Sequence, residues 1–352
     1  MKKVDFIIVG QGIAGTLLAH DLIEAKKSVV IIDTKLKSSS SKVASGLINT
    51  IGMKRCVPIN NAQRYFSKAI ARYKELEQKL DTKFLEIKPI IRLFSNNRVK
   101  HEWYVKFVNR DMDRYISCFH DKNKFSLIND NHGSAEISPA AHLNFKTFLN
   151  FSREYFNSHN LLIDERFDFS CFDPKAGKYK SIKSDRVIFC EGFRVMYNPY
   201  FSFLPLTPTK GEVITIKIRS KINFNKIISS GIYLIPLEKN YYVAGSTYNH
   251  NDLTDTPSTE GKAFLINKVK NVLSVDFKLV SCLSGVRPTV KDRKNLIGLH
   301  PKFTKIGVFN GLGSRGGLQG PFLSAEFSSD LLTNRKTSQI IDNQRIKRFY
   351  CA

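Results

Sequence analysis

Three glycines near the N-terminus have a spacing that suits a phosphate-bearing ligand. The segment GQGIAG places them at Gly10, Gly12 and Gly15, in the pattern G-x-G-x-x-G. The first glycine permits a tight turn, the second lets the backbone approach a pyrophosphate, and the third lets a helix pack closely on a strand. Amide groups at the start of that helix attract phosphate oxygens. The motif therefore predicts a dinucleotide site.

An acidic residue follows at the position that this site requires. Asp33 ends the second apolar segment, SVVIIDT. A carboxylate there accepts hydrogen bonds from ribose hydroxyls and repels a 2′-phosphate, so NADP is disfavoured. The motif alone does not separate NAD from FAD.

A second glycine-rich segment lies at the other end of the chain. The sequence FNGLGSRGGLQG, residues 309–320, contains five glycines. A strand-like segment, KIGVFNG, leads into it, and a helix-like segment, GPFLSAEFSSDLL, leads out. Glycine-rich loops bring backbone amides close to a ligand. The strand before it and the helix after it favour a second ligand-approaching loop over a loose connector.

The elements that position these segments can be read from the hydrophobic pattern. VDFIIVG and SVVIIDT are continuous apolar strands separated by the helical segment IAGTLLAHDLIEAKK, which is typical of a parallel βαβ unit. Helical spacing predicts helices over 61–80 and 139–158, and residues 184–193 are predicted to form another buried strand.

The middle of the chain has a different pattern. GEVITIKI, GIYLIPL and YYVAGSTY alternate in the manner of antiparallel strands, and TEGKAFLINKVKNVL is predicted to be helical. Parallel elements at both ends with antiparallel strands between them indicate a discontinuous domain that carries an inserted sheet. No internal repeat is found.

The composition favours an anionic partner. The chain has 55 Lys and Arg against 31 Asp and Glu, a net charge of +24, which suits nucleic acid or an acidic substrate.

The six cysteines form no C-x-x-C pair, and no Cys/His cluster has zinc spacing, so no metal site is predicted. We expect reduced thiols in a cytoplasmic protein. Asp5 and the glycines interrupt the only signal-like segment, and no apolar run is long enough to cross a membrane.

From residue 1 to about residue 330, the chain resembles the D-amino acid oxidase (DAO) family of FAD-dependent oxidoreductases. Besides the two glycine-rich segments, the matching blocks are SSKVASGLIN at 40–49, RVIFCEGF at 186–193, LTPTKGEVI at 206–214, YLIP at 233–236 and SGVRPTVKDRKNLIG at 284–298. One departure is Cys190, which stands where the family has alanine.

The resemblance implies an α/β fold with a Rossmann-like FAD-binding domain and an inserted, mainly antiparallel substrate sheet. Residues 1–88, 139–208 and 281–352 are expected to form the FAD-binding domain. Residues 89–138 and 209–280 are expected to form the substrate domain.

The resemblance also implies which residues hold the cofactor. FAD is expected to be bound non-covalently, because no histidine lies in 38–50 and Cys282 matches no attachment pattern. The second glycine-rich segment is expected to follow the flavin ring. The implied cofactor-binding residues are Gly10, Gly12, Ile13, Ala14, Gly15, Asp33, Thr34, Ala44, Ser45, Gly46, Phe167, Cys190, Gly192, Gly311, Gly313, Gly316, Gly317 and Leu318.

Two further residues are implied to act on the substrate. Arg287, in the Gly-x-Arg-Pro block, corresponds to the family's arginine that pairs with a substrate carboxylate, and its rigid fork of donors suits that partner. Tyr233, which begins YLIP, corresponds to a tyrosine whose hydroxyl donates to the same carboxylate. The implied reaction oxidises the C–N bond of a carboxylate-bearing amine or amino acid by hydride transfer to flavin N5.

Two alternatives stay open at this stage. One family branch oxidises a carboxymethylaminomethyl group on the wobble uridine of tRNA, and the charge of +24 suits that polyanion. The other alternative is a flavin-binding protein without catalytic activity. The sequence does not indicate whether oxygen or a carrier accepts the electrons.

Overall fold

The computed structural model of the chain describes residues 1–35, 39–109, 112–219, 224–333 and 343–351. The strands are β1 Lys2–Val9, β2 Val29–Ile32, β3 Leu47–Asn49, β4 Ile51–Gly52, β5 Val57–Pro58, β6 Leu85–Ile87, β7 Ile90–Leu93, β8 Ile116–His120, β9 Ser134–Ile137, β10 Ala140–Leu143, β11 Leu162–Ile163, β12 Phe172–Asp173, β13 Lys178–Tyr179, β14 Ile182–Phe189, β15 Thr209–Ile218, β16 Ile227–Ser229, β17 Tyr233–Pro236, β18 Tyr241–Gly245, β19 Phe277–Arg287, β20 Leu296–Leu299 and β21 Ile306–Asn310. The helices are α1 Ile13–Glu24, α2 Ser40–Val43, α3 Ala62–Lys79, α4 Asn97–Asn109, α5 Phe145–Ser158, α6 Thr259–Val272, α7 Gly316–Thr333 and α8 Asn343–Cys351.

The first sheet has five parallel strands in the order β11-β2-β1-β14-β21, and β12, β13 and β20 extend it by antiparallel pairing. Its register aligns the carboxyl ends of the central strands, since Val9 lies between Ile32 and Phe189, and Phe189 pairs with Val308. Both glycine-rich segments and Asp33 follow these ends directly. Ligands of open parallel sheets bind at this edge.

Helices cover one face of this sheet. Helix α1 packs against α7, and α7 packs against α3. Leu17, Tyr73, Phe148, Phe309 and Phe327 are almost completely removed from water in this layer. Burying one such side chain contributes about 1.5–3 kcal/mol, so this shared core fixes the helix starts relative to the sheet.

The second sheet has the order β19-β15-β18-β17-β16-β7-β9-β8. Its pairs are antiparallel except β16 with β7, which agrees with a mainly antiparallel substrate sheet. Strand β19 continues without a break to Arg287. It therefore crosses the boundary that the sequence predicts at residue 280, because its long pairing with β15 keeps it in this sheet.

Two predicted elements differ from the structure. The helix predicted over 139–158 is wrong for residues 139–144, because β10 pairs there with β3 and β6 and α5 begins only at Phe145. Asn144 caps that helix by accepting from the Thr147 amide. The loop predicted over 309–320 ends early, because α7 begins at Gly316. None of the helices in the described ranges combines the length and the apolar character that a membrane crossing needs.

Candidate functional site

A cavity of about 1110 Å³ opens where the two sheets meet. Ligand pockets commonly measure about 300–1,000 Å³, so this one has room for a large cofactor and a small second molecule. Most of the predicted site residues line it, namely Gly10, Gly12, Ile13, Ala14, Asp33, Thr34, Ala44, Ser45, Gly46, Phe167, Cys190, Gly192, Tyr233, Arg287, Gly313, Gly316 and Gly317.

Three predicted cofactor-binding residues do not line the cavity. Gly15 faces the sheet, where a β-carbon would lie 1.9 Å from the carbonyl oxygen of Gly10. Gly311 turns the chain beside Leu296, and Leu318 is buried in the helical layer. These residues shape the two glycine-rich segments without facing the cavity.

Two helices begin at the cavity wall. Helix α1 starts at Ile13 and α7 starts at Gly316, and both residues line the cavity. The free amides and positive dipole end of a helix start favour negative charge. The Ile13 amide donates to Ser41 Oγ at 3.1 Å. Ser41 belongs to the block at 40–49 but was not among the residues implied to hold the cofactor.

Asp33 is held by two donors at the end of β2. The Gln11 amide donates to Asp33 Oδ1 at 2.9 Å, and Arg153 Nη1 donates to Asp33 Oδ2 at 2.9 Å. Arg153 is buried and also pairs with Asp164 at 3.0 Å. Burial raises the pKa of Asp33, whereas these two donors lower it. Nothing in the sequence near Arg153 indicated this role, since it lies on α5, distant in sequence.

Arg287 projects from the end of β19 into the cavity. Its Nη2 donates to Ser246 Oγ at 2.6 Å, and its Nη1 donates to the Thr247 carbonyl at 3.4 Å. The guanidinium lies 4.7 Å from the centre of the Tyr248 ring. It forms no ion pair with any carboxylate in the described ranges. Burial lowers the pKa of Arg287, yet arginine keeps its charge in proteins, so this cation lacks an anionic partner.

Tyr233, Ser246 and Tyr248 are among the polar residues that line the cavity with Arg287. Tyr233 lies on β17, and burial raises the pKa of its hydroxyl, which therefore stays protonated. Ser246 and Tyr248 follow β18 and were missed by the sequence analysis, because an ordinary loop after a strand carries no distinctive spacing. Together these groups form a polar wall that can bind a carboxylate.

Glu191 is a half-buried acid beside the predicted cofactor residues Cys190 and Gly192. Burial raises its pKa to about 7, although Asn198 Nδ2 donates to its Oε2 at 2.7 Å. Its side chain lines the cavity. The sequence did not single out this residue.

Comparisons with known proteins give the family and the fold of this chain. The FAD dependent oxidoreductase family, DAO, matches residues 5–329. Glycine oxidase of Bacillus licheniformis is 21% identical over 374 residues, which cover 99% of this chain and 98% of that protein. Glycine oxidase of Bacillus subtilis (strain 168) is 28% identical over 134 residues, which cover 38% of this chain and only 36% of that relative.

A solved structure has the same fold. Glycine oxidase from Bacillus cereus ATCC 14579 superposes with a TM-score of 0.82 at 19% identity, over 97% of this chain and 100% of that one. This likeness confirms the predicted α/β fold with its antiparallel second sheet. Because the family matches nearly the whole length, including both glycine-rich segments and Arg287, the chain belongs to the DAO family of FAD-dependent oxidoreductases.

Proposed function

We propose that this protein oxidises the C–N bond of a small amino acid or a similar carboxylate-bearing amine. The observation that carries the proposal is the guanidinium of Arg287, which faces the cavity without an acidic partner in the described ranges. Withdrawing a cation from water, even partly, is costly unless it is paired. A substrate carboxylate would supply the missing charge through two parallel hydrogen bonds.

The residues present fit a bound FAD. The two helix starts and the glycines around Gly12 would hold its phosphates, and Asp33 would accept from a ribose hydroxyl. FAD supplies the acceptor for the hydride that leaves the carbon beside the amine. No histidine lines the cavity in the described ranges, and burial raises the pKa of the Cys190 thiol, which makes this lining residue a weak nucleophile. These features support non-covalent binding.

The chain's own residues would orient the substrate. Arg287 would bind the carboxylate, and the protonated Tyr233 hydroxyl would donate to the same group. The exposed ring of Tyr248 would shield the ion pair from solvent on one side. When the carboxylate of a small substrate is anchored, its reacting C–H bond takes one fixed orientation. Such orientation supplies a large part of the rate acceleration in reactions that depend on proximity.

A substrate screen tests this proposal. The purified flavoprotein is mixed without oxygen with amino acids, N-substituted glycines and matched amines that lack the carboxylate. Loss of the oxidised flavin absorption with the carboxylate-bearing compounds, accompanied by ammonia or a smaller amine, is the expected result. Reduction by the carboxylate-free amines at equal rates would contradict the proposal.

The charge of +24 supports a second candidate substrate, tRNA carrying a carboxymethylaminomethyl group. That group is a substituted glycine, so Arg287 would bind its carboxylate too. Binding to a polyanion weakens steeply with salt. If tRNA is the substrate, the protein should bind tRNA more tightly than a random RNA of equal length at moderate salt. Incubation with the protein should also convert the modified uridine.

A further inference from the structure

Three metal-binding side chain types meet at the outer edge of the second sheet. Cys118 and His120 lie two residues apart on the edge strand β8, and Glu136 lies opposite Cys118 on β9. The Cys118 Sγ to His120 Nε2 distance is 3.5 Å, and the His120 Nε2 to Glu136 Oε2 distance is 3.2 Å. Cys118 Sγ lies 4.0 Å from Glu136 Oε2. None of the three lines the large cavity.

The arrangement is not that of a catalytic cysteine. In a Cys–His–acid triad the thiol and the carboxylate use opposite ring nitrogens of the histidine. Here both approach His120 Nε2. A ring nitrogen carries either one proton or one lone pair, so it cannot satisfy both partners in line. A cation between the three atoms would satisfy all of them.

The separations agree with zinc coordination. Zinc lies about 2.3 Å from cysteine sulfur and about 2.0–2.2 Å from imidazole nitrogen or carboxylate oxygen, with tetrahedral angles. These values place the ligand atoms about 3.4–3.6 Å apart. The S–N distance of 3.5 Å and the N–O distance of 3.2 Å lie within about 0.2 Å of these separations, and the S–O distance of 4.0 Å would have to shorten by about 0.4 Å on binding. We propose that Cys118, His120 and Glu136 bind a zinc ion whose fourth ligand is water. A thiolate with an imidazole favours zinc over magnesium or calcium.

One cation competes for this site. Lys226 Nζ donates to Glu136 Oε2 at 2.6 Å. Burial raises the pKa of Glu136, whereas Lys226 and His120 lower it, with the net shift downward. The Lys226 side chain is 38% exposed, so it can turn into solvent when zinc binds.

The proposed zinc site would stabilise the edge strand β8. Strand β8 ends the sheet and pairs only with β9 among the described strands. Edge strands with free backbone groups are prone to fraying and to pairing with other chains. A zinc ion that joins β8 to β9 would stabilise this edge. Because none of its three protein ligands lines the cavity, its role would be structural and independent of the proposed oxidation.

Cobalt(II) titration of the chelator-treated flavoprotein tests the site, because a thiolate bound to cobalt gives a charge-transfer band in the near ultraviolet. Zinc is then added to displace the cobalt. We expect one equivalent of metal per chain with this band, and Cys118→Ser should abolish the band and weaken zinc binding about 100-fold or more. His120→Gln should also weaken binding.

Two variants complete the test. Cys171 is another exposed cysteine near a carboxylate, with its Sγ 3.4 Å from Asp168 Oδ2, so Cys171→Ser is the matched control and should leave the band intact. Lys226→Gln removes the competing cation and should tighten binding several-fold. Equal zinc affinity in Cys118→Ser and Cys171→Ser, or a lack of the thiolate band in the unmodified protein, would overturn the proposal.

Discussion

The guanidinium of Arg287 occupies the space that a side chain at position 211 would need. A β-carbon on Gly211 would lie 2.0 Å from Arg287 Nη2. The two residues are diagonal neighbours on β15 and β19, since Thr209 pairs with Arg287. The absence of a side chain at position 211 therefore sets the position of the candidate carboxylate-binding group.

The first prediction follows from this contact. Gly211→Ala should displace the guanidinium while the sheet stays folded, because the atom in its way is the end of a flexible side chain. We expect the KM for an amino acid to rise about 10-fold or more, with flavin content and Tm little changed. Steady-state kinetics with flavin quantification provide the measurement. A large loss of Tm would instead mean that Gly211 is needed by the backbone.

The second prediction concerns Arg287 itself. Arg287→Ala should lower kcat/KM toward an amino acid by roughly 30- to several-thousand-fold, since losing a charge-assisted, partly buried pair costs on the order of 2–5 kcal/mol. Arg287→Lys should recover part of the activity, because it keeps the charge without the fork. An analogue with a neutral group in place of the carboxylate is the control. Equal losses for both substrates would exclude a role in carboxylate binding.

The third prediction is that Gly12 and Gly15 of the first motif differ in role, Gly12 in cofactor binding and Gly15 in folding. Gly12→Val should abolish flavin retention but leave the apoprotein folded, because the new side chain projects toward the cavity and Ser41. Gly15→Val should prevent folding, because its β-carbon would meet the Gly10 carbonyl oxygen at 1.9 Å. Circular dichroism together with flavin absorbance distinguishes the two outcomes. Identical behaviour of the two variants would contradict this assignment.

The fourth prediction concerns the ion pair between Asp33 and Arg153. Arg153→Met should destabilise the protein by about 3 kcal/mol and weaken FAD binding, because it leaves the partly buried Asp33 carboxylate without its cation. Adding Asp33→Asn should restore part of the stability. Urea unfolding and flavin titration of the single and double variants measure the coupling; strictly additive effects would refute it.

The fifth prediction is a pH dependence that arises at Glu191. Its folded pKa of about 7 lies above the ordinary value of 4.5. Between these values the folded protein holds a proton that the unfolded chain has released, so stability falls as the pH rises, by up to about 3 kcal/mol above pH 7. Glu191→Gln should remove this fall. Thermal unfolding at about pH 5 and pH 8 tests it, and parallel profiles for both proteins would rule it out.

The nucleotide-binding half was the more predictable part of the protein. The spacing from Gly10 to Gly15, followed by Asp33, is dictated by local backbone geometry, so a short stretch of sequence carries it. Arg153 could not be predicted, because its contact with Asp33 depends on how α5 packs against the sheet. The cluster of Cys118, His120 and Glu136 could not be predicted for the same reason, because Glu136 lies next to Cys118 only through the pairing of β8 with β9.

Two buried charged residues of β15, Lys210 and Glu212, hydrogen-bond the loop after β18. Lys210 donates to Asp252, Thr254 and the Thr256 carbonyl, and Glu212 accepts from the Ser258 amide. The loop presents residues 253–255 to the cavity, whereas Arg287 is mounted on a strand. On the proposed function, Arg287 on its strand would bind the carboxylate with help from Ser246 and Tyr248 at the start of the loop, whereas residues 253–255 would face the remaining substrate. Selection could exchange residues 253–255, and with them the preferred side chain, while Arg287 and the start of the loop stay in place.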